Sequence, residues 1–310
     1  MRIVSLFSGA GGLDLGLSQA GHDIVWANDI YQDAAATYSL NIGQIDTRDI
    51  HDVKTTEIPD CDVVVGGFPC QGFSVANWGR TADDPRNQLY KQLVRVIRAK
   101  SPKFFIGENV KGLMSLGKGK VMRQIVEEFE ACGYQVQCEV VNAADYGVPQ
   151  LRKRVLIMGI RNNLPDTLQF PPTPTHADPK LAERFNLLPW LTVGQAVAHF
   201  PEPEFGTHIP NHECSKYKLR FNGYVGNRFV DPERPAPTVT ARGDDRGGVV
   251  VLHHPKNHRR MTVRELASVQ TFPENFKFVG TKSSAYRQIA NAVPPVLGYA
   301  LGLMLKNGEQ

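Results

Sequence analysis

In the first half of the chain, short runs of apolar residues alternate with longer segments whose apolar residues recur at helical spacing. The runs are rich in Val, Ile and Phe, a composition typical of parallel strands that are buried on both faces. The predicted strands are 3–7, 24–27, 62–65, 103–107, 135–141 and 155–160. The predicted helices are 13–20, 31–41, 88–99 and 121–131. This alternation predicts an α/β fold with helices on both faces of a central sheet, which the strand at 155–160 would close.

The pattern changes from about residue 163. Proline clusters at 165–179 and recurs at 201–210, and helical spacing is scarce apart from a short segment at 193–199. Frequent proline interrupts both helices and central strands, so we expect a second, smaller and irregular domain. The predicted boundaries are 1–165 for the first domain and 166–282 for the second.

Helical spacing returns towards the C-terminus. Residues 261–270 are predicted to form a helix that begins with a capping box, in which Thr262 is the N-cap and Glu265 follows three residues later. A further helical stretch at 283–306 is interrupted by prolines at 294 and 295. Its second half is too apolar to stand free in water, so residues 283–310 are expected to pack back on the first domain and complete it.

Composition and charge narrow the class of protein. The 310 residues are 42% hydrophobic, and no run approaches the 18 apolar residues that a membrane span needs, so we expect a cytoplasmic protein without a membrane partner. Five cysteines without CxxC spacing indicate free thiols in a reducing compartment and no metal site. A net charge of +4 permits a polyanionic partner, and basic residues concentrate at 212–264.

The first loops after the predicted strands carry glycines and acids. The first strand runs into a glycine turn at 7–12 (FSGAGG), and the second strand ends at Asp29. Glycines let the backbone approach a ligand, and an acid at this position can accept bonds from ribose hydroxyls. The glycine spacing is not the dinucleotide fingerprint, which favours an adenosyl ligand over a dehydrogenase cofactor, although a plain tight turn also fits. Asp49 is predicted to end a third strand at the same edge, where it would bind an adenine amino group or serve as a turn residue.

The next strand end carries a cysteine. Residues 66–74 read GGFPCQGFS, so Cys70 lies in the loop that follows the predicted strand 62–65. Loops at the carboxyl ends of strands are where ligands bind in open α/β sheets, which makes Cys70 a candidate nucleophile. Free cysteine is also among the most buried residue types, so a packing role is equally open on this stretch alone.

Charged residues follow at the neighbouring strand ends. Glu108 comes directly after the apolar run 103–107, and Arg152 and Arg154 precede the strand at 155–160 with strand spacing, so both are expected to point to one face. A thiolate, an acid and two cations suit addition to an electron-poor ring, because the acid can protonate a ring nitrogen. The polar, non-periodic residues 71–87 are predicted to form a functional lid.

Six ordered motifs resemble those of bacterial DNA (cytosine-5) methyltransferases, and the resemblance runs from one end of the chain to the other. The matching segments are 7–12 (FSGAGG), 67–74 (GFPCQGFS), 108–110 (ENV), 150–154 (QLRKR), 264–273 (RELASVQTFP) and 288–294 (QIANAVP). The resemblance implies a Rossmann-like S-adenosylmethionine-dependent methyltransferase sheet. It also implies a smaller, irregular, mostly-β target-recognition domain.

The resemblance also implies catalytic roles. Cys70 would add to C6 of cytosine, and Glu108 would hold and protonate N3, so that C5 can take a methyl group from S-adenosylmethionine and leave S-adenosylhomocysteine. Arg154 would bond the cytosine O2, and Arg152 would support the site. No side chain is assigned as the base that removes the C5 proton.

Further roles follow for the cofactor and for DNA. The residues expected at the cofactor are Phe7, Gly9, Gly11, Gly12, Asp29, Ile30, Asp49, Ile50, Asn291 and Val293, with Asp29 on the ribose and Asp49 on the adenine amino group. The residues expected at double-stranded DNA are Gln71, Ser74, Arg80, Arg86, Thr238 and Arg242. The target cytosine lies inside a duplex and must be flipped out. The basic residues of 212–264 would then supply phosphate contacts and base reading.

Several alternatives stay open. A tRNA methyltransferase of the same fold would share the chemistry, although a recognition region of roughly 90 residues argues against it. A catalytically silent DNA-binding relative is disfavoured because Cys70, Gln71, Glu108 and Arg154 are all present. We expect a monomer that uses no metal. A cognate restriction endonuclease, if one exists, would act on the same DNA site without direct contact.

Overall fold

The computed structural model describes residues 1–68, 89–165, 168–203, 208–215, 218–223, 226–241 and 251–308. Within these residues the strands of the main sheet are β1 (Arg2–Leu6), β2 (Asp23–Asn28), β3 (Val63–Gly66), β4 (Phe104–Val110), β5 (Tyr134–Asn142) and β6 (Lys153–Arg161). They lie in the order β2-β1-β3-β4-β6-β5. The α/β architecture expected from the sequence is therefore confirmed.

The sheet is parallel from β2 to β4 and then reverses. β6 lies between β4 and β5 and is antiparallel to both. The prediction that this last strand closes the sheet is wrong, because β5 forms the edge. The reversal matters for the site, since it places the beginning of β6 at the carboxyl end of β4, where Arg154 lies opposite Val110.

Helices cover both faces of the sheet. Successive apolar side chains along each strand point to opposite faces, so each face carries its own core. One core contains Val64 of β3, with side chains from α3 (Tyr90–Lys100) and α4 (Lys120–Glu130). The other contains Val63 and Val65, with side chains from α1 (Gly12–Gln19) and α9 (Pro295–Asn307). A strand of consecutive buried valines therefore has to be covered on both sides.

The remaining helices are short or lie between the two domains. They are α2 (Gln32–Asn41), α5 (Pro179–Phe185), α6 (Val193–Val197), α7 (Val263–Val269) and α8 (Lys282–Asn291). Two stretches of 3-10 character follow β4 and β5 at Lys111–Gly119 and Ala143–Tyr146. Thr262 and Glu265 form the predicted capping box of α7, with both reciprocal bonds present.

The described part of residues 166–282 contains less β-structure than the mostly-β domain expected. Its only described strands are β7 (His176–Ala177) and β8 (Leu188–Pro189), which pair in parallel. The rest of its described backbone is irregular or in short helices. A third core joins this domain to the glycine turn, because α6, α7 and α8 pack together and against Ala10.

Of the two C-terminal helices, α9 packs against α1 of the first domain, whereas α8 belongs to the third core with α6 and α7. By length and composition, Lys282–Asn307 is the stretch of the described residues that would pass for a membrane span, yet 72% of its most apolar window is buried inside the protein. The break predicted at the prolines separates α8 from α9. Close contact with α1 depends on glycine, because a Cβ atom on Gly298 would lie 2.7 Å from the Leu13 carbonyl oxygen.

Replacing Gly298 by alanine should therefore destabilise the protein. We expect a loss of about 1–3 kcal/mol in the free energy of unfolding, since the added methyl group meets rigid main chain. Urea unfolding followed by circular dichroism measures the change. Gly43→Ala is the matched control, because a Cβ atom there meets no atom within 4 Å. Equal stabilities of the two variants would contradict this account of the α1–α9 contact.

Candidate functional site

The three glycines of the turn after β1 differ in their surroundings: two are closely packed and one faces open space. A Cβ atom on Gly11 would lie 2.8 Å from a ring carbon of Tyr38, and one on Gly12 would overlap the Val293 carbonyl oxygen. Gly9 has φ of 57° and no neighbour within 4 Å of the position a Cβ would take. Of the three, Gly9 is thus the glycine whose missing side chain leaves room for a ligand. Gly11 and Gly12 let α2 and the C-terminal segment come close.

Asp29 lies beside this open position. Its carboxylate accepts from the Gly9 amide at 2.7 Å and from the Tyr31 amide at 2.8 Å. Burial raises the pKa of Asp29 while these two bonds lower it. The apolar side chain of Ile30 stays 60% exposed next to it, although large apolar side chains usually find cover. Phe7 adopts a positive φ of 57° at the start of the turn. An acid, an apolar surface and an open backbone are the features that an adenosyl group needs.

A buried acid that the sequence interpretation did not single out supports the turn from below. Asp14 of α1 has no exposed surface and accepts from the hydroxyl groups of Ser5 at 2.7 Å and Tyr38 at 2.9 Å. Ser8 in turn donates to Ser5. Burial raises the pKa of Asp14 to about 6, against the lowering effect of these hydroxyl groups. The glycine turn therefore rests on a hydrogen-bonded carboxyl group that has no access to water.

Asp49 does not end a strand, so that part of the prediction is wrong. Its segment runs alongside the end of β2, where the Asn28 amide group donates to the carbonyls of Asp46 and Arg48. The side chain of Asp49 is 43% exposed and accepts from His51, which lowers its pKa. The fold thus keeps Asp49 at the expected edge by side-chain bonds to irregular backbone.

Arg95 of α3 fixes the other end of the same segment. Its guanidinium donates to the carbonyls of Ile50 and Val53 at 2.6 and 2.9 Å. Ile50 itself is buried in the core beneath the segment. Nothing in the sequence marks Arg95, because its partners are main-chain carbonyls far along the chain.

The C-terminal segment between α8 and α9 closes over the turn. Val293 is buried with its carbonyl oxygen against Gly12, while Asn291 is exposed. Val293 therefore lies beside Gly12 of the glycine turn, although more than 270 residues separate the two in sequence.

Glu108 and Arg154 form an ion pair at the carboxyl end of β4. Arg154 Nε lies 2.8 Å from Glu108 Oε1, and each side chain is only 11% exposed. The antiparallel pairing of β6 with β4 explains why an arginine before one strand meets an acid near the end of the other. Both charges are oriented in a site that water reaches poorly, where electrostatic interactions are stronger than at the surface.

The same strand end holds the chain that leads into the cysteine loop. The Asn109 amide group donates to the Phe68 carbonyl at 3.1 Å, and a Cβ atom on Gly67 would lie 3.5 Å from Glu108 Oε2. Both contacts are at the last described residues before the loop. Cys70, Gln71, Ser74, Arg80 and Arg86 lie outside the described residues, as do the whole of the predicted lid and Arg242.

Arg152 bonds to main-chain carbonyls, whereas Arg154 pairs with Glu108. The expectation that both side chains point to one face stays a prediction. Arg152 comes just before β6 begins and is 1% exposed. Its guanidinium donates to the carbonyls of Val239, Ala290 and Ala292 at 2.8–3.0 Å. Arg152 supports the arrangement of segments around the site and is a positioning residue. Thr238 lies next to this contact, and its hydroxyl group donates to the Leu151 carbonyl.

Basic residues of the second domain divide into structural and exposed groups. Arg259 binds Glu202 and forms two bonds to Glu265, whereas Arg260 and Arg264 donate to main-chain carbonyls. These three arginines are used inside the domain, so this part of the basic segment 212–264 has a structural role. The exposed cations among the described residues of 212–264 are Lys218, Arg220, Arg228, Arg234 and Lys256.

Among the described residues, no group of three His, Cys, Asp or Glu side chains could hold a metal ion. The histidines near residue 254 have other partners. His254 is buried, and its Nε2 lies 3.7 Å from Glu265 Oε1. Burial lowers the pKa of His254 to about 4. His258 lies 3.2 Å from Glu202 at the domain surface.

Comparisons with known proteins agree with this geometry. The model of the C-5 cytosine-specific DNA methylase family matches residues 1–307. Type II methyltransferase M.NgoFVII of Neisseria gonorrhoeae is 40% identical over 95% of this chain and 83% of its own length. Type II methyltransferase M1.HphI of Haemophilus parahaemolyticus is 39% identical over 97% of this chain and 85% of its own length.

Solved structures show the same fold. A protein described as a DNA modification methyltransferase encoded within an E. coli prophage has a TM-score of 0.74 at 25% identity, over 99% of both chains. The Dnmt2 methyltransferase of S. pombe has a TM-score of 0.68 at 19% identity, over 99% of this chain and 98% of its own. The family model and the two type II relatives show the class of protein, a methyltransferase of cytosine C5. The chain belongs to the C-5 cytosine-specific DNA methylase family.

The raised pKa of Asp14 predicts a pH-dependent stability. An acid whose folded pKa is raised favours folding when protonated, so its contribution is lost as the pH rises through about 6. Asp14→Asn removes this dependence. Relative to that variant, the natural protein should lose about 1 kcal/mol of stability between pH 5 and pH 8.

Urea unfolding of both proteins at the two pH values measures the difference. Asp52→Asn, at an exposed position of the same domain, is the control and should keep a constant stability gap to the natural protein. If the difference in free energy of unfolding between the natural protein and Asp14→Asn does not change with pH, the raised pKa of the buried Asp14 carboxyl group is contradicted.

Proposed function

We propose that Cys70 is the nucleophile of this methyltransferase and that Glu108 and Arg154 act with it on a cytosine flipped out of duplex DNA. The observation that carries the proposal is the buried Glu108–Arg154 pair, whose carboxylate lies beside Gly67 at the entry to the cysteine loop. Cys70 follows Phe68 by two residues in the chain, and Asn109 holds the Phe68 carbonyl.

The residues around the glycine turn fit S-adenosylmethionine, the cofactor that the family implies. The open Gly9, the Asp29 carboxylate and the exposed Ile30 would hold its methionine, ribose and adenine parts, with Asp49 and Asn291 at the rim. When bound, S-adenosylmethionine supplies the methyl group that is transferred to cytosine C5. Two protein amides already bind the Asp29 carboxylate, which fixes its direction before a ligand arrives.

The chain's own residues then make C5 reactive. The Cys70 thiolate adds to C6, and a proton held by Glu108 at N3 takes up the electron density that this addition creates. Arg154 orients Glu108 and donates to the cytosine O2. After the methyl group has been transferred, the C5 proton is removed, the thiolate leaves C6 and the N3 proton returns to Glu108, which restores the aromatic ring. Each step is easier than direct attack by neutral cytosine.

We infer that the substrate is double-stranded DNA and that the enzyme protects a specific site, as in the restriction-modification systems of its relatives. The exposed cations of the second domain support phosphate contacts. The predicted lid at 71–87 and the predicted DNA contacts Gln71, Ser74, Arg80, Arg86 and Arg242 remain part of this proposal. We further propose a cytoplasmic monomer that needs no metal and does not contact any cognate endonuclease.

A covalent complex tests the nucleophile. Bisulfite sequencing of DNA from cells that express the protein would identify the methylated site. A duplex that carries 5-fluorocytosine at that site should form a complex that survives denaturation, because the fluorine cannot leave as a proton does. Cys70→Ser should form none.

The control separates this result from loss of folding. Cys132→Ser, at a half-buried cysteine just before β5 and at the opposite edge of the sheet from Glu108, should form the complex like the natural protein. A natural protein that binds the duplex without a covalent complex would favour the silent relative. Methyl transfer to tRNA and not to DNA would overturn the choice of substrate.

Glu108→Gln tests the acid. Glutamine has the same shape and can still accept from Arg154, but it cannot deliver a proton to N3. We expect kcat to fall by about 100-fold to 10,000-fold with an unchanged affinity for the cofactor. Glu57→Gln, an exposed acid of the same domain, should leave kcat unchanged. Near-normal turnover of Glu108→Gln would overturn the assigned role.

A further inference from the structure

Three polar side chains form a fully buried cluster where the two domains meet the C-terminal segment. Gln150, Arg152 and Gln270 are each at most 1% exposed, and we call them the polar clamp. Gln150 Nε2 donates to Gln270 Oε1 at 2.6 Å. Three such residues are costly to bury unless their bonds are made, so their position calls for an explanation.

One set of bonds of the polar clamp, here called its first arm, holds Val239 of the second domain. Gln150 Oε1 accepts from the Val239 amide at 2.9 Å, and Arg152 Nη1 donates to the Val239 carbonyl at 3.0 Å. The main chain continues this contact, since the Leu151 amide donates to the Ala236 carbonyl. Val239 follows Thr238, one of the residues expected at double-stranded DNA.

The other arm holds the C-terminal segment. Arg152 Nη2 donates to the carbonyls of Ala290 and Ala292, and Gln270 Nε2 donates to those of Ile289 and Ala292. The next residue, Val293, has its carbonyl oxygen against Gly12 of the glycine turn. This arm therefore leads to the predicted cofactor site.

The two arms share donors, which limits how the segments can move. If the C-terminal segment moves relative to Val239, the guanidinium of Arg152 must break a bond to one or the other. A buried group left without its bond is costly, and close packing leaves no water to replace it. Movement of either segment is thus expected to displace the other.

We propose that the polar clamp couples DNA binding at the second domain to cofactor binding at the glycine turn. This inference rests on the proposed function, since it assumes duplex DNA at the Thr238 side and an adenosyl ligand at the Gly12 side. Coupling of this kind is reciprocal, so each ligand tightens the other by the same factor. Gln150, Arg152 and Gln270 would act as positioning residues that do not contact either ligand.

Titration calorimetry of S-adenosylhomocysteine, with and without the mapped duplex, measures the coupling factor. We expect at least about a 5-fold tightening in the natural protein. Arg152→Lys keeps the charge but replaces the planar fork by a single ammonium group, which cannot span carbonyls on both arms. The tightening by DNA should then fall below about 2-fold.

A second variant and a control complete the test. Gln150→Asn keeps an amide in the site, but asparagine is one methylene too short to reach both Gln270 and Val239. It should also lower the coupling factor, and it replaces Arg152→Lys in the test if that variant does not fold. Tyr134→Phe removes another buried bond, from its hydroxyl group to the Pro102 carbonyl. It should lose stability and keep the full coupling factor.

The outcomes distinguish the polar clamp from the proposed function. Folded clamp variants that methylate DNA and keep the natural coupling factor would overturn the polar clamp alone. A natural protein whose affinity for S-adenosylhomocysteine does not change with DNA would overturn it as well. Failure of the proposed function would appear earlier, as the absence of methylated DNA and of the covalent complex.

Discussion

The antiparallel placement of β6 between β4 and β5 is the constraint on which the site depends. In a wholly parallel sheet, residues before a strand lie at the opposite edge from residues after it. Reversal of β6 brings the residues before it to the carboxyl end of β4. Arg154 can then reach Glu108, and Gln150 and Arg152 can reach the second domain and the C-terminal segment. One reversed strand thus supplies both the ion pair and the polar clamp.

Much of the fold could be predicted from periodicity because its main elements bury apolar faces. The strands, α1 to α4, the capping box of α7 and the break between α8 and α9 are close to the bounds expected. The predicted strand ending at Asp49 was wrong because that segment keeps its place through side-chain bonds from Asn28 and Arg95 to its carbonyls. Such bonds depend on which residues are neighbours in space, and no sequence period reveals them.

The site was predictable in its charged residues and less so in its supports. Glu108 follows one apolar strand and Arg154 precedes another, so their positions at strand ends made them candidates. Asp14 looked like an ordinary helix residue, yet burial and two hydroxyl groups place it beneath the glycine turn. Gly11 and Gly12 matched the motif as cofactor residues, whereas their contacts show that close packing also requires them. A motif records which residue types are needed and not which neighbour needs them.

Arg152 and Arg154 show how two residues of one motif can serve different ends. They are separated by one residue, and both are nearly buried, so both must have bonded partners. Arg154 has its partner in the Glu108 carboxylate, and that pair keeps two charges buried at the carboxyl end of β4. The guanidinium of Arg152 donates to main-chain carbonyls of segments that are distant in sequence. A planar guanidinium group can bond to several such partners at once, which one ammonium group could not. The short spacing therefore joins the place of reaction to the segments that close around it.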